Sequence, residues 1–141
     1  MVTNIKLNRF PLPLIILFFL VACEKSTKYE VVINNSSQYD LWFKGFRKNA
    51  SNEALTPIDS FKVNSNSQYV AGKLVTDHDI SSCNPNLYDS IHSDVINHSD
   101  RILFKNLRNN DIFFYSKTGS KSKGYTVQCT ATITDADIVP K

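Results

Sequence analysis

The chain has 141 residues, with 16 Lys+Arg against 13 Asp+Glu and a formal charge of +3. Lys6 and Arg9 supply two of those units and residues 1–22 contain no acid, so residues 23–141 carry 14 cations against 13 anions, too even a balance for nucleic-acid binding. Those 119 residues fit one domain with a proper core and no second one, while four glycines exclude glycine-rich repeats and 42% hydrophobic content argues against intrinsic disorder.

Residues 1–9 are polar with two cations, and residues 10–22 form an apolar run without a charge. A run of 13 residues falls short of the ~20 that a membrane-crossing helix needs. Basic residues followed by a short apolar run are the layout of an export signal. The run closes on Leu20-Val21-Ala22-Cys23, which resembles the lipobox of bacterial lipoproteins at all four positions. The resemblance implies that Cys23 receives a diacylglyceryl group, that residues 1–22 are cleaved as a signal peptide, and that the new amino terminus is acylated. A thiol suits that transfer because it becomes a strong nucleophile on deprotonation. Several acyl chains on one residue hold firmly, at ~0.8 kcal/mol per buried methylene. The mature protein is thus expected to be anchored to a membrane without spanning it, and to carry no cofactor besides these acyl groups. Glu24, where an Asp would resemble an inner-membrane retention signal, points to the outer membrane, with periplasmic and outward orientations both open. Residues 23–28 read as a tether whose reach is at most ~20 Å.

Residues 29–141 read as a single all-β domain, in which short apolar runs alternate with Asn- and Ser-rich turns. Strands are expected at 29–34, 39–46, 58–63 and 68–71, with 72–86 as a long irregular loop. Leu87, Ile91 and Val95 recur every four residues, which predicts a short helix over 87–97. A hairpin is expected from 101–105 to 111–116. The cleanest pattern is 125–134, where Tyr125, Val127, Cys129, Ala131 and Ile133 alternate with Thr and Gln, as in a strand with one buried face. Thr134 and Asp137 have the spacing of a capping box. About seven strands and one short helix predict an antiparallel β-sandwich, with a partly closed barrel as second choice.

The lipobox, the Tyr-rich first strand with Ile33-Asn34-Asn35-Ser36, the segments Asp100-Arg101-Ile102-Leu103-Phe104 and Ile112-Phe113-Phe114-Tyr115, and the closing Thr130-Ala131-Thr132-Ile133-Thr134-Asp135-Ala136-Asp137 together resemble small uncharacterised envelope lipoproteins of Bacteroidota. The resemblance brings no catalytic residue with it. Residues 77–99 depart from the compact pattern of that group.

Cys83 and Cys129 remain once Cys23 is lipidated, and an exported chain with an even pair favours a disulfide. That bond would pin the 72–86 loop to the last long strand and close a loop worth ~4 kcal/mol. The alternative is a core Cys129 beside a free Cys83. All three histidines, His78, His92 and His98, lie in one Asp-rich window. Imidazoles and carboxylates suit zinc, but the spacing matches no zinc motif and a solvated loop is the preferred reading. The chain has no Gly-x-Ser-x-Gly, no Gly-x-Gly, no phosphate loop and no His-Glu-x-x-His. Lys117, Lys121 and Lys123 read as a solvated hairpin loop rather than a phosphate or lipopolysaccharide patch.

Trp42, Phe43, Phe46 and Arg47 form the densest aromatic cluster. An open Trp42 and Phe46 face, with Arg47 beside it, would suit a carbohydrate or protein contact, whereas the preferred reading places these rings in the sandwich core. The expected function is that of a non-enzymatic binding or structural module of the cell envelope, with an envelope protein or glycan as partner. The alternatives are an inhibitor or immunity lipoprotein against an envelope-targeting toxin or lysozyme, and a small envelope hydrolase.

Overall fold

A computed structural model describes residues 26–51, 53–84 and 88–141. The signal sequence, Cys23 and Leu87 lie outside the described residues. The chain forms nine strands among the described residues: β1 Thr27–Asn35, β2 Leu41–Lys48, β3 Leu55–Val63, β4 Ser67–Thr76, β5 Ser90–Val95, β6 Arg101–Leu103, β7 Phe113–Ser120, β8 Gly124–Ile133 and β9 Ile138–Pro140. They build a four-stranded sheet in the order β4-β1-β8-β7, a three-stranded sheet β3-β2-β5 and a two-stranded ribbon β6-β9. The domain is all-β and sandwich-like, as the alternating pattern predicts.

Alternation explains how the two larger sheets meet. Ile33 of β1 and Ala131 and Ile133 of β8 face Leu41 and Phe43 of β2, Phe61 and Val63 of β3, and Val95 of β5, all buried in one cluster. Phe43 and Phe61 stack at 5.2 Å between ring centres, and Tyr69 continues the stack from Phe61 at 4.4 Å. At the far end of β1, the fully buried Asn35 ties three segments together. Its Nδ2 donates to the carbonyls of Tyr39 (2.7 Å), Val63 (3.3 Å) and Asn64 (3.1 Å), while its Oδ1 accepts from the N–H and hydroxyl of Ser37. A buried amide with both ends satisfied is a net stabiliser; removing it would break all of these bonds at once.

At the opposite end of β1 the inner face has a different cover. Tyr29, Val31, Val127 and Cys129 form a second buried cluster, against which Ile80 and Cys83 of the β4–β5 connection pack. Cys83 and Cys129 are joined, with Cα atoms 5.6 Å apart. The connection is held further by the Tyr115 hydroxyl donating to the Ile80 carbonyl (2.8 Å), by the Asn84 N–H donating to the Tyr29 hydroxyl (3.3 Å), and by an ion pair of Lys117 with Asp79. The expected link between this loop and the last long strand is the one observed.

Four expectations are corrected. Residues 90–95 form a strand paired antiparallel to β2, in place of the predicted helix over 87–97. A four-residue spacing is an even number, so it puts Ile91 and Val95 on one face of a strand as readily as on one side of a helix. The 101–105 to 111–116 hairpin does not form: β6 pairs with β9, and β7 pairs with β8 across the turn Ser120 to Gly124. Gly119 and Gly124, at φ 105° and 83°, supply the left-handed conformations that this turn requires. Finally, β1 runs parallel to β8, so the four-stranded sheet is mixed. Strand β4 also extends through Thr76, into the stretch read as loop. The Thr134–Asp137 capping box is present, with the Thr134 N–H donating to Asp137 Oδ2 at 2.8 Å.

Removing the covalent link with Cys83→Ser and Cys129→Ala together should lower unfolding stability by ~2–4 kcal/mol, given the 46-residue loop it closes. Urea titration measures this; an unchanged midpoint would show that the link is not formed in the native protein.

Candidate functional site

Strand β2 is the centre of the three-stranded sheet, and its alternation decides what reaches solvent. Leu41, Phe43 and Gly45 turn inward and are buried; Trp42, Lys44 and Phe46 turn outward. Register places Trp42 between Lys62 of β3 and Asp94 of β5, and Lys44 between Ser60 and His92. Phe46 follows, opposite Pro57 and Ser90. The outer face of this sheet is therefore one continuous strip of aromatic, imidazole, ammonium, carboxylate and hydroxyl groups. Trp42 and Phe46 are half-buried on it and Lys44 is exposed. The Phe46 ring lies 4.8 Å from the His92 ring.

A β-bulge adds shape to this face. Gly45 pairs with Asp59 but Phe46 pairs with Pro57, leaving Ile58 as the extra residue of β3. Pro57 is tolerated there because β3 is an edge strand. Beside the bulge is an open groove of about 520 Å³, lined by Trp42, Lys44, Pro57, Ile58, Asp59 and Ser60. Ile58 is 48% exposed at its rim. A flat ring with hydrogen-bonding groups on both flanks is the donor set that recognises a sugar ring or a polypeptide edge. Next to it, Lys62 Nζ meets Asp40 Oδ2 at 2.7 Å. Hydrogen bonds from Lys62 and from the Ser65 N–H hold the Asp40 carboxyl below its ordinary range.

The sequence cluster thus divides three ways. Phe43 is core, with no exposure. Trp42 and Phe46 lie on the outer face, not in the core as preferred from sequence. Arg47 alternates to the other face at the strand end, close enough to Tyr88 to act on its hydroxyl. Tyr88 packs its ring on Gly45, where a Cβ would meet it at 2.2 Å, and its hydroxyl donates to Asp59 at 2.9 Å. Burial and the Asp59 charge push its ionisation well up.

The three histidines are kept apart. His78 is exposed and pairs with Asp77 at 3.4 Å. His92 sits on the outer face against Phe46, and His98 meets the Tyr39 ring edge-on at 5.0 Å. Among the described residues, no group of three or more His, Cys, Asp and Glu side chains is placed to hold a metal ion. A second groove, about 400 Å³, is lined by His98 together with Asp94, Ser93, Ser99 and Arg101. These are residue types a hydrolase uses, but among the described residues no hydrogen bond joins the His98 imidazole to Asp94 or to either serine.

Sequence reasoning found Trp42 and Phe46 but missed Lys62, Lys44, His92 and Asp94 as their neighbours. The missing signal was the strand character of 90–95, which puts His92 and Asp94 in register with β2. Among the described residues no helix is long and apolar enough to cross a membrane. Compared with protein-family models, curated proteins and solved structures, the chain matches none.

Because Trp42 is the only tryptophan, its fluorescence reports on this face. Trp42→Ala should cost less than half as much stability as Phe43→Ala, for which a fully buried ring predicts ~3–5 kcal/mol. Urea titration followed by circular dichroism compares the two, and equal losses would return Trp42 to the core.

Proposed function

We propose that this protein is a lipid-anchored, non-catalytic binding module of a bacterial cell envelope, which presents the outer face of its three-stranded sheet to an envelope protein or glycan. The observation that carries the reading is Leu20-Val21-Ala22-Cys23, placed four residues ahead of Thr27, where β1 begins. Acylation at Cys23 would hold the sandwich at the bilayer through residues 23–26. At ~3.5 Å per residue, that tether reaches ~14 Å.

The outer face supports the binding half of the reading. An aromatic such as Trp42 costs least when buried in a core; here it shares an outer face with Phe46, His92 and ionisable groups on both neighbouring strands. Such a surface offers stacking area and hydrogen bonds without requiring a reaction. Outer-membrane placement follows from Glu24 at the position after the anchor, and the Bacteroidota envelope lipoproteins remain the group that the chain resembles.

Replacing the nucleophile tests the anchor. Cys23→Ser should move the protein from the membrane fraction to the soluble fraction, or leave it as uncleaved precursor, with metabolic palmitate labelling abolished. Unchanged labelling and unchanged fractionation would overturn the proposal.

A further inference from the structure

The tether enters the sheet beside a turn that sequence order alone keeps distant. Register aligns Thr27 with Thr76 of β4 and with Tyr125 of β8, and Tyr125 with Gly119 of β7. The start of β1, the end of β4 and the β7–β8 turn therefore form one edge of the four-stranded sheet. The contact is close: a Cβ on Gly124 would stand 2.7 Å from the Ser26 carbonyl oxygen. Ser26 is three residues from Cys23, a span of ~10 Å at most, about one Debye length at physiological salt.

This edge is basic where it is free and neutral where it is paired. Lys121 and Lys123 occupy the turn and are exposed, as is Lys28, the second residue of β1, on its outer face. Two of the acids nearby are matched: Asp79 takes Lys117, which also lies over the Tyr125 ring at 4.2 Å, and Glu30 takes Lys73 at 3.5 Å and Gln128. Asp77, exposed beside His78, sets one carboxylate against the three exposed lysines. Beside Lys28 the end of β4 exposes Val75 at 63%, directly opposite Lys28 and on its face; Leu74, at 56%, lies opposite the inward Tyr29 on the other face. Exposed lysines with an exposed aliphatic at the start of β1 match the interfacial zone of a bilayer, anionic phosphate outside and hydrocarbon beneath.

We propose that this edge is a membrane-docking surface: Lys28, Lys121 and Lys123 engage anionic phospholipid headgroups while Val75 enters the interface, so that the anchored domain stands in one orientation. The proposal rests on the lipid-anchored reading above. Docking this edge leaves the far end of β1, with Asn35 and the 36–40 turn, pointing away from the bilayer.

Amine reactivity of the mature acylated protein tests it. The purified protein is reconstituted into vesicles of phosphatidylcholine, of phosphatidylethanolamine with phosphatidylglycerol, or of phosphatidylcholine with lipopolysaccharide, and acetylated under limiting reagent. Mass spectrometry reads each lysine. Lys121 and Lys123 should react about five-fold more slowly in the phosphatidylglycerol vesicles than in phosphatidylcholine, the factor an anionic leaflet confers per lysine. Lys44 and Lys62 should not change, and high salt should restore reactivity. Lys121→Gln with Lys123→Gln, two exposed substitutions that leave the fold intact, should also unprotect Lys28. Acylated protein with equal reactivity in all vesicles would overturn docking while leaving the anchor standing; protein without acyl mass would overturn the anchored reading itself. Protection only with lipopolysaccharide would also overturn the phospholipid assignment.

Discussion

The Cys83–Cys129 link is the constraint on which the half of this fold around the start of β1 depends. Toward its Asn35 end, the four-stranded sheet shares a buried cluster with strands β2, β3 and β5 through Ile33, Ala131 and Ile133. Over the rest, Tyr29, Val31 and Val127 would face water if the β4–β5 connection were free to leave. A connection with little apolar content and several polar residues has weak reasons of its own to stay there. The link removes that freedom, and Ile80, Tyr115 and the Asp79–Lys117 pair then close over the strip that it fixes. At the other end Asn35 does comparable work without a covalent bond, because five short contacts converge on one buried amide.

The two ends give the sheet different jobs. One end carries the start of β1, the β7–β8 turn and the exposed Lys28, Lys121 and Lys123. The other joins the two sheets and sets where β2 begins, and with it the parity that sends Trp42 and Phe46 outward. Both outcomes rest on the parallel pairing of β1 with β8: it brings residues 26 and 124 into contact, and it places the most strictly alternating strand at the centre of the sheet.

Much of this was legible in the residues, and the failures have physical causes. Strands with strict alternation were readable because burial on one face imposes a period of two; β8 was located to within a residue at each end. The disulfide was readable from the export signal expected at the N-terminus and the even pair left once Cys23 is set aside. The 87–97 helix was misread because a four-residue recurrence satisfies both periods, so only the partner strand β2 decides it. The false hairpin arose because adjacency in sequence was the only pairing cue, whereas β6 finds β9 across an intervening hairpin. The Trp42 face was ambiguous for the same reason: parity says which residues share a face, but not which face meets the other sheet. No local signal links Ser26 to Gly124, a contact between residues 98 positions apart.

On the proposed reading, a short tether, a basic edge beside it and an aromatic strip on the opposing sheet would hold the domain at a surface with one side offered to a partner. Every part of that description begins with Cys23. The most direct test is the intact mass of the protein extracted from membranes. The expected result is a chain beginning at Cys23 and carrying diacylglyceryl and acyl mass, with one disulfide. A chain beginning elsewhere, or beginning at Cys23 with a free thiol, would contradict it.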